Sequence, residues 1–323
     1  MDGLENLVKR IADSPGFMRK KDIQIPMQAF AWDPAAMLDP IGDDAAILKN
    51  GDDYLLISCD GILPRLVQVE PKWAGYCAVL VSVSDIYAMG GRPVAIVNLL
   101  SAPNGETAGL IAEGMAEGCR KLGVPMVGGH YLPEEVGGVA TAIIGRATHL
   151  LRGCNGRAGQ SLIVAVDLNG KPYKHYLQWD CTSTQEPEVL HRKLELLPML
   201  AENGWATAAR DISNAGILGT IAMLAENSVC GAQVQIDHIP RPGTVELERW
   251  LQMFPGYGFI LAADPEHTDE IIALFAQEDI AAAVVGELTL DTCVSIRNDT
   301  EAAILIDWAK ESLVVTQYEQ RQC

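Results

Sequence analysis

The chain has 323 residues, 49% of them hydrophobic and 20% charged, with a formal net charge of −18. That length allows one large or two medium domains with a sizeable core, and the acidic balance excludes a broad nucleic-acid surface, which needs basic side chains on phosphates. No uninterrupted apolar stretch approaches the span of a membrane helix, and the N-terminal MDGLENLVKRIADSPGFMRKKD reads as a short amphipathic helix without the apolar core of a signal peptide. The expectation is a cytoplasmic protein with no membrane partner.

In chain order, residues 41–48 (IGDDAAIL) and 54–60 (YLLISCD) read as strands separated by the turn KNGDD. Residues 73–89 are apolar or small all round, as in a buried helix. Residues 95–102 form the next strand, 107–123 an amphipathic helix ending at Gly123, 124–130 (VPMVGGH) a strand running into a glycine turn, and 138–148 a further strand. LRGCNGRAGQ (151–160) is the candidate boundary. Beyond it, SLIVAVDL, GAQVQID, GFILAAD and AAAVVGEL read as strands, with helices over EVLHRKLELLPMLAENG, NAGILGTIAMLAENS, 244–253 and 267–278. The layout is α+β in two domains, 1–152 (with 1–35 as an N-terminal arm) and 153–323. The eight cysteines are dispersed and form no CxxC pair, so they read as small buried hydrophobes in a reducing compartment rather than a zinc site.

The aspartates carry the chemical question. Asp43, Asp44 and Asp60 fall at strand ends, and Asp85 sits inside the apolar helix with Ser82 one turn before it on the same face. Unpaired buried carboxylates are costly, so they must be paired, protonated or bound to cations. Between residues 41 and 91 the basic side chains are Lys49, Arg65 and Lys72. Hard oxygen ligands suit Mg2+ shared with substrate phosphates. Equally, Asp43–Asp44 alone reads as a turn-capping pair, and no phosphate-binding or dinucleotide glycine motif is present.

IGDDAAIL, SCDGI, SDIYAMGGRP, VGGH and DISNAGILG, in that order, resemble the superfamily of aminoimidazole ribonucleotide (AIR) synthase, thiamine-monophosphate kinase, selenophosphate synthetase and the hydrogenase-maturation dehydratase. The chain is most similar to an AIR-synthase-related branch distinct from those enzymes. The resemblance implies an N-terminal sheet that pairs with a second subunit as a homodimer barrel. It also implies a C-terminal α+β domain closing a cleft that holds ATP and several Mg2+ ions. Carried over by position, Asp43, Asp44, Asp60 and Asp85 would hold the metal–phosphate cluster. Gly128 and Gly129 would admit the nucleotide, with Arg146 near the same cleft, and Asp211, Ser213 and Asn214 would line the acceptor side. Lys20 and Lys21 read either as solvated surface or as part of an arm over the phosphates. His130 reads either as a turn cap or as an acid–base group on nucleotide or substrate.

Departures from the family patterns bear on activity. The kinases' GGD is Gly128-Gly129-His130 here, their DISDG has Asn214 in place of a second carboxylate, and their helix asparagine is Ser82. A selenide acceptor is disfavoured because the first cysteine is Cys59, and the terminal Cys323 lacks the context of the dehydratase tail. The expectation is an ATP- and Mg2+-dependent enzyme that phosphorylates an oxygen of a small-molecule acceptor, either as a kinase or as the first half of a cyclisation or dehydration, with His130, Asp211 and Asn214 as its catalytic group. The alternative is a nucleotide-binding partner protein without catalysis.

Overall fold

The computed structural model describes residues 3–23, 25 and 42–314. These form two compact units that do not follow chain order. One comprises residues 44–149 and 185–199; the other comprises the described parts of 1–43, 150–184 and 200–323. The sequence division at 152/153 thus lies near one junction, but the N-terminal segment belongs with the later half of the chain.

The first unit is built on β1 (Ala46–Asn50), β2 (Asp53–Gly61), β3 (Arg92–Ala102), β4 (Met126–Pro133) and β5 (Gly138–Ala147), in the order β1-β2-β5-β3-β4. All neighbours are antiparallel except β3 and β4, which are parallel and joined by a helical crossover. Gly51, at φ +65°, makes the β1–β2 hairpin turn. Residues 42–45 are turn and bend, so the expected first strand begins only at Ala46 and the aspartate pair precedes it.

α3 (Pro64–Val69), which the sequence pattern did not separate, leads into α4 (Pro71–Ala88). α4 is buried over nearly its whole length, as an apolar surface all round requires. α5 (Gly105–Leu122) is capped by Asn104, whose side chain accepts from the Thr107 amide, and ends at left-handed Gly123. α4 and α5 approach backbone to backbone, because a methyl at Gly75 would overlap the Ile111 carbonyl and one at Gly114 the Lys72 carbonyl. One sheet face carries α4; no element among the described residues covers the other.

In the second unit α1 (Leu4–Ala12) and α2 (Pro15–Asp22) replace the single expected N-terminal helix, with Ser14 capping α2 and Pro15 at its first position. A seven-stranded sheet has the order β15-β14-β10-β13-β6-β12-β9. Its strands are β6 (Ser161–Val166), β9 (Ala208–Asp211), β10 (Gly231–Gln235), β12 (Gly258–Ala263), β13 (Ala281–Thr289), β14 (Cys293–Arg297) and β15 (Ala302–Asp307). A small sheet joins β7 (Lys171–Pro172), β8 (Gln178–Asp180) and β11 (Phe254–Pro255). The boundary between units falls within α6 (Pro187–Glu202), after Met199; α7 (Gly216–Asn227), α8 (Leu247–Gln252) and α9 (Thr268–Gln277) complete the second unit. Six described cysteines are free thiols, whereas Cys154 is disulfide-bonded, a departure from the expectation of thiols throughout. No helix among the described residues is long and apolar enough to cross a membrane.

Candidate functional site

Alternation along β2 puts Ser58 and Asp60 on one face of the sheet, the face that α4 covers. Across the strands Asp60 pairs with Thr141, Thr141 with Asn98, and Asn98 with Gly129, so these four form one row. α4 lays two polar side chains against this face: Ser82 is 0% exposed and Asp85 7%. The Thr141 hydroxyl donates to the Ala78 carbonyl at 2.7 Å and lies 2.8 Å from the Ser82 hydroxyl. A hydroxyl has one proton, and Thr141's goes to Ala78, so Ser82 is the donor to Thr141. The helix is thus pinned to β5 by a short hydroxyl chain. Three residues on, Ser58 donates to Asp85 Oδ2. The carboxylate that looked anomalous in an apolar helix therefore faces a serine on the strand that also carries Asp60.

Gly129 has a packing reason: a Cβ there would occupy the position of the Asn98 amide. Gly128 has only an ordinary contact with Val97 at its vacant position. The expected glycine turn is absent, because residues 126–133 continue as β4, and His130 is an exposed strand residue rather than a turn cap. Its partner in register is Leu99, a residue of the uncovered face, whereas Asp60 and Asp85 belong to the covered one. Arg146 is likewise not brought to the Asp60 row. It lies at the other end of β5, five positions from Thr141 or about 17 Å along the strand, and its guanidinium holds Asp53.

The second unit receives Asp43. Its side chain is 4% exposed, accepts from the Gly153 amide at 2.7 Å and lies 3.8 Å from Arg210, itself 6% exposed. Arg210 and Asn227 both donate to the Gly42 carbonyl, at 2.7 and 3.0 Å. Asp44 falls in the other unit. Adjacent aspartates therefore have different surroundings, and Asp43 is engaged by fixed protein donors. Sequence reasoning missed these partners, and also Glu226, which is fully buried and accepts from the Ser312 hydroxyl and the Leu313 and Val314 amides. The three polar residues Glu226-Asn227-Ser228 closing an apolar helix were the available signal.

Asp211 ends β9, and Ser213 and Asn214 form the turn into α7, where the Gly216 amide donates to the Ser213 carbonyl. α2 packs on this turn: a methyl at Gly16 would overlap the Asn214 carbonyl, and Phe17 is buried beside Gly219. Lys20 and Lys21 lie in the last turn of α2, and Lys21 pairs with Glu311 at 2.7 Å. The remainder of the expected arm, and Cys323, lie outside the described residues.

Among the described residues no three His, Cys, Asp or Glu side chains gather closely enough to hold a metal ion alone. Mg2+ does not require such a cage, since it is commonly held by one or two carboxylates with water and substrate phosphates. The hard oxygen donors Asp44, Asp60 and Asp85 in one unit fit that mode. In the same unit Lys72 pairs with Glu117, and Lys49 lies over the Tyr54 ring. Two residues past Asp85, burial and the Glu195 carboxylate push the Tyr87 hydroxyl up to about 12 against the opposing effect of Arg92, so it stays neutral and acceptor-competent near pH 7.

The family model for the AIR synthase related protein N-terminal domain matches residues 42–147, and that for the C-terminal domain matches 161–297. An uncharacterized protein of Synechocystis is 34% identical over 316 residues, covering 96% of this chain and 98% of that one. A selenide, water dikinase of Dechloromonas aromatica is 27% identical over 291 residues, covering 76% of this chain and 83% of its own. The structure of T. maritima PurL complexed with ATP superposes with a TM-score of 0.73 at 17% identity. That match covers 91% of this chain and 52% of PurL, so the chain spans about half of that protein's length. At this identity the likeness concerns the fold alone.

Proposed function

This chain belongs to the AIR synthase-related family, and from that premise we propose that it is an ATP- and Mg2+-dependent enzyme that phosphorylates, and so activates, an oxygen of a small-molecule acceptor. The observation that carries the reading is Asp85: the one carboxylate of a largely apolar buried helix, 7% exposed and held by Ser58 on the strand that presents Asp60. Such placement is costly for a residue without a task. In this reading Asp60 and Asp85, with Asp44, hold the metal–phosphate group. Bound Mg2+ supplies charge neutralisation on the phosphates, and phosphoryl transfer needs little covalent help beyond positioning. That suits a chain with many carboxylates and no obvious nucleophile.

Asp43 takes a different part, holding the Gly42–Asp43 peptide through Gly153 and Arg210. Asp211, Ser213 and Asn214, which lead from β9 into α7, are assigned to acceptor binding. His130, on the uncovered sheet face, has no part in the Asp60–Asp85 group. That face instead supports a homodimer: Leu48, Ile57, Val97 and Leu99 are 39–47% exposed there, an apolar surface that a second copy would cover.

ADP release from Mg·ATP, measured over a library of hydroxyl- and carboxyl-bearing metabolites and with none, tests the activity. Acceptor-dependent release is the expected result. Tight Mg·ATP binding with no release for any acceptor would favour a nucleotide-binding partner protein, the reading that Asn214 in place of a carboxylate also suggests.

A further inference from the structure

We propose that Ser58 is a positioning residue whose task is to hold Asp85 in the orientation used for the metal–phosphate group. The inference rests on the reading of Asp85 above. It starts from how the buried hydroxyls of the helix–sheet layer use their protons. Ser82 donates to Thr141 and Thr141 to the Ala78 carbonyl, so that pair fixes α4 on β5. Ser58 gives its proton to Asp85 Oδ2 instead.

The geometry makes the serine informative about the carboxylate. Ser58 is 7% exposed, as is Asp85, so the hydrogen bond forms away from bulk water, where a donor to a charged oxygen has most effect. Rotation about the Asp85 side chain exchanges its two oxygens, and a donor fixed on Oδ2 distinguishes them. Ser58 lies one residue past the β1–β2 ladder, which ends at Ile57, and pairs in register with Ile143 of β5, which fixes its backbone. The same strand presents Asp60 two residues later on the same face. One rigid strand thus sets Asp60 directly and Asp85 through Ser58.

A merely structural Ser58 would satisfy a buried hydroxyl and nothing more. The two roles separate in the Mg2+ dependence of nucleotide binding, because loss of a partner behind a metal-binding carboxylate typically costs about 10–100-fold in metal affinity. The test titrates Mg2+ into the full chain at fixed ATP, and titrates ATP in excess EDTA, for wild type, Ser58→Ala, Ser58→Thr and Asp85→Asn.

The proposal expects Ser58→Ala to raise the Mg2+ concentration for half-maximal ATP binding by about tenfold and to leave ATP binding in EDTA unchanged. Ser58→Thr, which keeps the hydroxyl, should restore the wild-type Mg2+ requirement. Adding Ser58→Ala to Asp85→Asn should have no further effect on that requirement, since Ser58 acts through Asp85. A wild-type Mg2+ requirement in Ser58→Ala, with Asp85→Asn impaired, overturns the inference and leaves the Asp85 reading standing. A wild-type requirement in Asp85→Asn overturns the reading itself. Should Ser58→Ala not fold, Ser58→Cys, nearly isosteric with a weaker donor, takes its place, and an unshifted requirement there likewise counts against the proposal.

Discussion

Arg210→Met removes the cation from a pair that water scarcely reaches. The Asp43 and Arg210 side chains are 4% and 6% exposed, and the nearest nitrogen–oxygen distance is 3.8 Å. After the change Asp43 keeps the Gly153 amide, and the Gly42 carbonyl keeps Asn227 but loses Arg210 as a donor. Breaking a buried pair by removing one partner costs about 3–5 kcal/mol, and the long separation here favours the lower end, about 3 kcal/mol. Asp43→Asn preserves an acceptor for Gly153 and leaves Arg210 on Gly42, so about 1–3 kcal/mol is expected. The double variant should lose less than the sum, with a coupling of at least about 1 kcal/mol. Urea unfolding followed by fluorescence and by circular dichroism measures these values, with coincidence of the two curves checked because the chain has two units. Asp43→Asn should keep Mg·ATP affinity within about twofold, a difference under 1 kcal/mol. Full stability with lost Mg·ATP binding in Asp43→Asn would refute the reasoning and return Asp43 to the metal.

Other outcomes follow from single features. Gly16→Ala should destabilise by about 1–3 kcal/mol through overlap with the Asn214 carbonyl, although alanine is the better helix former; a stabilised variant would mean that α2 does not pack on that turn as described. Tyr87 has a raised folded value of about 12. Its contribution is complete below its unfolded value near 10 and is lost as pH rises from there to about 12, a loss of about 3 kcal/mol. Tyr87→Phe should flatten that part of the alkaline stability curve, and an unchanged curve would count against it. Light scattering should give twice the 34.8 kDa chain mass, with Leu99→Lys shifting it toward the monomer; a monomeric wild type at micromolar concentration would remove the proposed dimer.

Much of this was legible in the sequence for a physical reason: periodicity reports which faces are apolar. α4 was recognisable because no face of it is polar enough for solvent, and Asp85 stood out against that background. Pairings distant in the chain left no such mark. Between Asp43 and Arg210 the chain passes through every element of the first unit and crosses four junctions between units, and nothing local links them. His130 shows how a face is lost. Gly128-Gly129 resembles a turn, yet the strand continues, and the register shift between Ile96 and Val97 decides which face the following residues share. β14 and β15 went unread because their alternation is short and interrupted by charged turns. The Ser58–Asp85 bond was half visible: SCDGI and SDIYAMGG were both conspicuous, but only the packing of α4 on β2 joins them.

The measurement that bears most directly on the central claim is calorimetric titration of ATP into the purified chain, with Mg2+ and again with excess EDTA, for wild type and Asp85→Asn. The account predicts saturable binding in Mg2+, little or none in EDTA, and at least about tenfold weaker Mg2+-dependent binding in Asp85→Asn, on the order of 1.4 kcal/mol. Equal ATP affinity with and without Mg2+, or an unchanged Mg·ATP affinity in Asp85→Asn, would contradict it.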